Sequence, residues 1–109
     1  MLDNLNTATI IIPLLDNDGS DNSAVIDRTI RALCATHGGA TAWDAAGYWA
    51  SPEGQLYKDG VKVIQSAMTK SDDNRSSLRA LALDVLADTD QEAVYVSYAG
   101  GEVEIIDRD

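Results

Sequence analysis

Two aspartates and two tyrosines fall in neighbouring segments of the chain, where they are candidates for acid–base chemistry. Asp44 and Tyr48 belong to one alternating segment, and Tyr57 and Asp59 belong to the next. A carboxylate can act as a general base or hold magnesium, provided that it lies in a pocket with its partners. The two segments are predicted to pair as a hairpin, but the sequence does not give their register. A pocket formed by these carboxylates and tyrosines is therefore one hypothesis for the function.

The single cysteine and the single histidine, Cys34 and His37, lie three residues apart near the end of a predicted helix. A thiolate beside an imidazole can act as nucleophile and base, or it can supply half of a zinc site. The commoner explanation is a small buried thiol and a histidine that is favoured by the carboxyl end of the helix. We therefore predict no catalytic residue here, no metal and no cofactor.

The polar segment 16–23 is rich in aspartate, asparagine and serine. It resembles half of a calcium loop, but its glycine stands at the fourth position, whereas an EF-hand loop needs glycine at the sixth. The twelfth position is Asp27, which falls inside a predicted helix. A turn that leads into that helix is the favoured interpretation, with Asn22 or Ser23 as the capping residue.

Hydrophobic periodicity predicts the elements that position these residues. Alternation predicts strands over residues 7–15, 41–49, 55–68, 92–98 and 102–106, and helical spacing predicts helices over 24–37 and 73–87. Gly38 and Gly39 are expected to end the first helix, and Gly60 is expected to mark a bulge. The order is β-α-β-β-α-β with an added C-terminal hairpin strand. We therefore predict one α+β domain over residues 1–109, a ferredoxin-like sandwich with two helices on one face of an antiparallel sheet.

The other face of such a sheet has no helix against it, yet large apolar residues fall on both faces. Trp43 and Trp49 alternate with Tyr48 along one predicted strand, and Tyr57 and Asp59 follow on the next. We predict these five residues as ligand or interface positions. An uncovered aromatic surface favours self-association, with a homodimer as the simplest form of homo-oligomer.

Eighteen acidic residues against eight basic ones give a net charge of −10. Because affinity for nucleic acid comes largely from lysine and arginine, direct binding to DNA or RNA is not expected. The acidity favours solubility, but it is also typical of salt-adapted proteins and of proteins that occupy a basic groove on a partner protein. No apolar run is long enough for a membrane helix, and no secretion signal is recognisable. With one cysteine, the simplest location is cytoplasmic.

The region 7–68 resembles a diffuse group of small uncharacterised bacterial and phage proteins. The shared features are an Ile-rich first strand, a helix, and then the motifs Gly39-Ala40-Thr41, Gly47-Tyr48-Trp49, Gly54 and Asp59-Gly60-Val61. The resemblance implies a ferredoxin-like fold and carries no assigned activity.

The absence of a recognisable catalytic motif favours a non-catalytic function. The sequence therefore predicts an acidic binding protein, of phage or mobile-element origin, that inhibits a host protein or sequesters a small ligand. The alternative is a small enzyme with a carboxylate and tyrosine pocket between the sheet and the helices. In that enzyme, Asp44, Asp59, Tyr48 or Tyr57 would be the acid–base groups.

Overall fold

The computed structural model describes residues 4–108. The elements along the chain are β1 (Asn6–Pro13), α1 (Ser23–His37), β2 (Thr41–Ala50), β3 (Leu56–Met68), α2 (Asp72–Asp88), β4 (Ala93–Ser97) and β5 (Val103–Asp107). Every predicted element is present, and its bounds lie within a few residues of those expected from the periodicity.

The five strands form one antiparallel sheet in the order β2-β3-β1-β4-β5. Both helices pack on the same face, α1 mainly against β3 and α2 mainly against β4. The topology is consistent with a ferredoxin-like fold to which β5 adds an edge strand, which confirms the predicted fold class. Among the described residues, neither helix combines the length and the apolarity that crossing a bilayer requires.

The hydrophobic core lies between the helices and the central strands. Ile10 of β1 is paired with Ile64 of β3 and with Val96 of β4, and all three side chains are completely buried. Burying one such side chain contributes roughly 1.5–3 kcal/mol. The helices supply the other side of the core at three- and four-residue spacing, through Val25, Ile26, Leu33, Leu78, Ala82, Val85 and Leu86.

The strands differ in length, and the difference creates an overhang. β1 ends at Pro13, which pairs with Val61, whereas β2 and β3 remain paired out to Ala50 and Leu56. Pro13 has no N–H to donate to a neighbouring strand, so the end of β1 is a position that tolerates proline. Residues 56–59 of β3 therefore have a strand on one side only.

Gly60 does not form the predicted bulge, because it pairs with Ala46 in an uninterrupted register. Its small size has another reason. A Cβ atom at this position would lie 3.2 Å from Cδ1 of Leu14, the residue that follows β1. Leu14 also donates its N–H to the Gly60 carbonyl at 3.0 Å. Glycine thus lets the chain after β1 pack directly on β3, at the point where the overhang begins.

Helix α1 differs from its prediction at Cys34, which is exposed instead of buried. Leu33 takes the buried position, and a helix turns about 100° per residue, so the next side chain lies outside the core stripe. The end of α1 is as predicted: Gly38 has a left-handed conformation and donates its N–H to the Cys34 carbonyl at 2.9 Å.

Candidate functional site

The register of β2 and β3 decides which face each predicted site residue occupies, because directly paired antiparallel residues share a face. Trp49 pairs with Tyr57, Gly47 pairs with Asp59, and Trp43 pairs with Val63. Trp43, Trp49, Tyr57 and Asp59 therefore all lie on the face without helices.

Trp49 and Tyr57 form an aromatic stack at the end of the hairpin. Their ring centroids are 4.4 Å apart and their planes differ by 16°. Cross-strand aromatic pairs of this kind contribute about 0.5–1.5 kcal/mol beyond their buried area. Trp49 nevertheless remains 52% exposed and Tyr57 38% exposed. The stack is thus a rigid flat surface that a ligand can still reach.

Asp44 and Tyr48 lie on the opposite face of the hairpin, the face that carries the helices. Asp44 forms an ion pair with Lys62, its partner across the two strands. The ring of Tyr48 is 60% exposed, and the Lys58 ammonium group is 5.9 Å from its centroid. The sheet therefore separates these two residues from Tyr57 and Asp59, so the four do not form one pocket between sheet and helices.

A cleft lies beside the overhang, and we call it the hairpin cleft. Two adjoining cavities of about 370 and 620 Å³ form it, and both border on Pro13, Asn17, Asp59 and Gln91. Trp49 and Glu92 line its smaller part, and Asp16 and Lys58 line its larger part. These volumes are typical of sites for small molecules.

Two other cavities of about 490 Å³ open elsewhere on the described part of the chain. One lies between α1 and β3, and the other lies where α2 begins beside the β4–β5 turn. Neither borders on any of the five predicted site residues. The hairpin cleft includes two of them, Trp49 and Asp59, and for this reason it is the candidate site.

Hydrogen bonds between two distant loops hold the wall of the hairpin cleft. Asn17 donates its backbone N–H to Oδ1 of Asp90 at 2.8 Å and its side-chain amide to the Asp90 carbonyl at 2.9 Å. In return, Asp90 donates its backbone N–H to Oδ2 of Asp16 at 3.2 Å, and Gln91 donates its side-chain amide to Oδ1 of Asp16 at 2.9 Å. The loop after β1 is thereby fixed to the loop before β4.

Asp16 is the centre of these contacts. Partial desolvation raises its pKa, but hydrogen bonds from Gln91, Asn22 and Asp90 lower it by more, so that the pKa lies below its usual value. Asn22, expected as a helix cap, makes no capping hydrogen bond with its side chain. It donates instead to Oδ1 of Asp16 at 2.8 Å and to the Pro13 carbonyl at 3.1 Å.

Three carboxylates of these loops, Asp16, Asp18 and Asp90, have oxygens within 4.8 Å of one another. Hydrogen bonds account for this closeness. Besides the contacts of Asp16 and Asp90, Asp18 accepts from the backbone N–H and the hydroxyl of Ser20 at 2.8 and 2.6 Å, and these two bonds lower its pKa. The segment is a turn, as predicted, with the Gly19 N–H donating to the Asp16 carbonyl.

Sequence reasoning missed the part of the cleft that the loops supply. Asn17 and Gln91 are far apart in the chain and belong to segments that were interpreted only as connectors. The available signal was the difference in length between β1 and β3, because a long hairpin beside a short strand must leave an unpaired edge. That signal locates the overhang, but it does not show which loop closes it.

No protein-family model matches the chain, and no curated protein sequence matches it either. Two solved structures do. One is a phage SAM lyase in complex with S-methyl-5′-thioadenosine, with a TM-score of 0.69 and 21% identity over 98% of this chain and 95% of that one. The other is a phage SAM lyase in the apo state, with a TM-score of 0.71 and 21% identity over 100% of this chain and 97% of that one. The similarity shows a shared fold along practically the whole chain.

These neighbours correct the functional prediction. The sequence predicted a non-catalytic acidic binding protein that acts as a phage or mobile-element inhibitor, with no enzymatic activity. That prediction was wrong, because the proteins that share this fold over its full length are enzymes. The alternative, a small enzyme, fits better. A cleft of this kind leaves no sequence motif, because its lining residues come from four separated segments of the chain.

Proposed function

We propose that this protein is a small lyase that binds S-adenosylmethionine in the hairpin cleft and releases S-methyl-5′-thioadenosine. The observation that carries the proposal is the full-length structural similarity to phage SAM lyase, one structure of which contains that product. The similarity extends over 98–100% of this chain, so the hairpin cleft belongs to the shared fold.

The charge of the hairpin cleft supports a cationic substrate. S-adenosylmethionine carries a sulfonium and an ammonium group, and the cleft contains the carboxylates of Asp59 and Glu92. The aromatic stack of Trp49 and Tyr57 lies beside them. A cation over an aromatic face gains roughly 0.5–2 kcal/mol, and the net charge of −10 attracts cations from a distance.

The reaction needs little from the protein, because the sulfonium is a good leaving group. When the carbon–sulfur bond breaks, its electron pair moves to sulfur and leaves a neutral thioether. A lyase adds no water, so the four-carbon fragment must regain an electron pair from within. Either its own carboxylate closes a ring, or a base removes a proton from the adjacent carbon and a double bond forms. We assign that base to Asp59, the carboxylate that borders on both parts of the cleft and forms no ion pair within residues 4–108. A lactone or an unsaturated amino acid as product distinguishes the two routes.

The test is the release of S-methyl-5′-thioadenosine from S-adenosylmethionine, measured by chromatography. If the double bond forms, we expect Asp59→Asn to lower the rate by about 100-fold or more, since a positioned general base contributes 10²–10⁴-fold. Ring closure needs no base, so a lactone product should come with a much smaller loss. Asp84→Asn is the matched control, because Asp84 is an exposed acid on α2, on the other side of the sheet from the uncovered face. Product release at the wild-type rate by Asp59→Asn would remove Asp59 from the proposal, and no release by the wild-type protein would refute the activity itself.

The proposal includes self-association through the uncovered face of the sheet. Besides Trp43, this face exposes large apolar side chains on its other edge, namely Tyr95, Val103 and Ile105. A second copy that covers them would form a homodimer by the commonest symmetry. We expect Trp43→Ser to shift the mass measured by light scattering from dimer towards monomer, and Leu83→Ser, on the outer side of α2, to leave it unchanged. A wild-type monomer at high concentration would contradict self-association.

Location in the cytoplasm is also part of the proposal, supported by a single thiol that can form no internal disulfide.

A further inference from the structure

Two amide side chains line the hairpin cleft, and the protein itself uses their nitrogen atoms. Gln91 donates from Nε2 to Oδ1 of Asp16 at 2.9 Å, and Asn17 donates from Nδ2 to the Asp90 carbonyl at 2.9 Å. Their oxygen atoms accept no hydrogen bond from any residue of the described range 4–108. The second N–H of Gln91 is directed at the Leu15 carbonyl at 3.4 Å, so Gln91 offers a ligand in the cleft an acceptor only. Asn17 offers its amide oxygen as an acceptor and keeps one N–H.

The neighbouring oxygens fix the orientation of both amides. A rotation of 180° about the last side-chain bond would exchange the nitrogen and oxygen of each amide. In Gln91 that rotation would bring the amide oxygen against the carboxylate of Asp16, and in Asn17 it would bring the oxygen against the Asp90 carbonyl. Each rotated form sets two acceptors against each other. The carboxylate of Asp16 is thus a positioning group for Gln91.

The other polar side chains of the smaller part of the cleft are also acceptors. Asp59 and Glu92 contribute carboxylates that form no ion pair within the described residues. Lys58 is the one cationic side chain that borders on the larger part, and its ammonium group lies 5.9 Å from the centroid of the Tyr48 ring, which belongs to the opposite face of the hairpin. The four acceptor side chains of the cleft match a ligand group that only donates.

We propose that Asn17 and Gln91 are specificity-determining residues whose amide oxygens accept hydrogen bonds from a primary ammonium group of the ligand. The inference rests on the proposed function for the choice of ligand. S-adenosylmethionine carries one ammonium group, on the fragment that the reaction removes, and S-methyl-5′-thioadenosine has none. The cleft therefore binds the substrate through a group that the product lacks, and the same residues favour release of the product.

The test uses a ligand that keeps the ammonium group but lacks the reactive sulfonium. S-adenosylhomocysteine is such a probe, and S-methyl-5′-thioadenosine is its counterpart without the amino-acid portion. Titration calorimetry on the wild-type protein should show the first binding at least about tenfold more tightly, since hydrogen bonds to a charged group are worth that factor or more. Equal affinity for the two ligands would overturn the inference.

Gln91→Lys removes the acceptor and keeps a donor for Asp16, so that the two loops remain connected. We expect this variant to lose the preference for S-adenosylhomocysteine while its affinity for S-methyl-5′-thioadenosine changes less than about twofold. Gln65→Lys is the matched control. Gln65 is also half-buried, and its replacement adds the same charge farther along the uncovered face. An equal loss in both variants would show a general effect of charge and overturn the role of Gln91. If the wild-type preference holds but no S-adenosylmethionine is cleaved, the lyase activity fails and the ammonium site stands.

Discussion

The two ends of strand β3 show how one continuous hairpin is used in two ways. Residues 61–65 have β2 on one side and β1 on the other, residues 66–68 continue beside β1, and α1 packs against this half of the strand. Residues 56–59 have β2 alone. Every second side chain of the first half, from Ile64 to Met68, is buried, whereas every residue from Leu56 to Gly60 is exposed.

In so small a protein, a site has to lie on residues that the core does not need. A domain of this size buries a modest core, so residues that pack on both sides are needed for stability. The overhanging half contributes little to that core and is free to carry an aromatic stack and an unpaired carboxylate. Its exposure is also what lets the loops after β1 and before β4 form the opposite wall of a cleft.

The largest difference between the two halves should be seen in stability. Ile64→Ala removes a completely buried side chain and should lower the free energy of unfolding by about 2–5 kcal/mol. Tyr57→Ala in the overhang loses an exposed stacking partner and should cost about 0.5–1.5 kcal/mol. Chemical denaturation measures both. Equal losses would contradict the division of β3 into a structural half and a functional half.

The same division explains how far the sequence could predict the molecule. The core half is encoded by local periodicity, so the strands and helices that form it are predicted to within a few residues. The exception is Cys34 of α1, which is exposed instead of buried. The pairing of Trp49 with Tyr57 needed the register of the hairpin, which the turn at 51–54 helps to set. The cleft needed contacts between Asn17 and Asp90, and no local pattern encodes a contact between loops that are 73 residues apart.

Gly60 lies at the junction of the two halves, and its substitution should give an intermediate effect. A Cβ atom there would lie 3.2 Å from Cδ1 of Leu14, so Gly60→Ala should cost about 1–3 kcal/mol through overpacking. It should also weaken ligand binding, because Leu14 leads into the loop that carries Asn17. Gly54→Ala at the hairpin turn, where the left-handed conformation is strained but no atom lies within 4 Å, is the comparison. Unchanged ligand affinity in Gly60→Ala would separate the junction from the cleft.

The alkaline limit of stability should be set far from the cleft, at Tyr98. Burial, together with a hydrogen bond from its hydroxyl to Oε1 of Glu104 at 2.6 Å, raises its pKa from 10 to about 12. A raised pKa favours the protonated form in the folded state, so the contribution of Tyr98 is complete below pH 10 and is lost as the pH rises towards 12. Tyr98→Phe should flatten that loss in thermal unfolding, and Tyr95→Phe, on the uncovered face, should not. A loss of equal steepness in all three proteins would contradict this assignment.

The loss of stability at low pH should be smaller, and it should affect the hairpin cleft. Because the pKa of Asp16 is lowered, its contribution is present above its unfolded pKa near 3.8 and is lost as the pH falls through the lower folded value. Protonation would weaken the hydrogen bonds that Asp16 accepts from Gln91 and Asp90. In nuclear magnetic resonance spectra, we expect the amide signals of Asn17, Asp90 and Gln91 to shift in acid before the core unfolds. Asp16→Asn should show the same shifts at neutral pH. If the loop signals and the core signals were lost at the same pH, the loop contacts would not break independently of global unfolding.

A nuclear magnetic resonance titration with S-methyl-5′-thioadenosine tests whether the ligand site lies at the overhang of the hairpin. The two tryptophans provide one indole signal in each half of β2. The account predicts that the Trp49 indole and the side-chain amides of Asn17 and Gln91 shift on binding, while the Trp43 indole shifts little. Shifts that cluster around Lys70 and Arg75, or around Ile26 and Lys62, would place the ligand in another cavity and contradict the account.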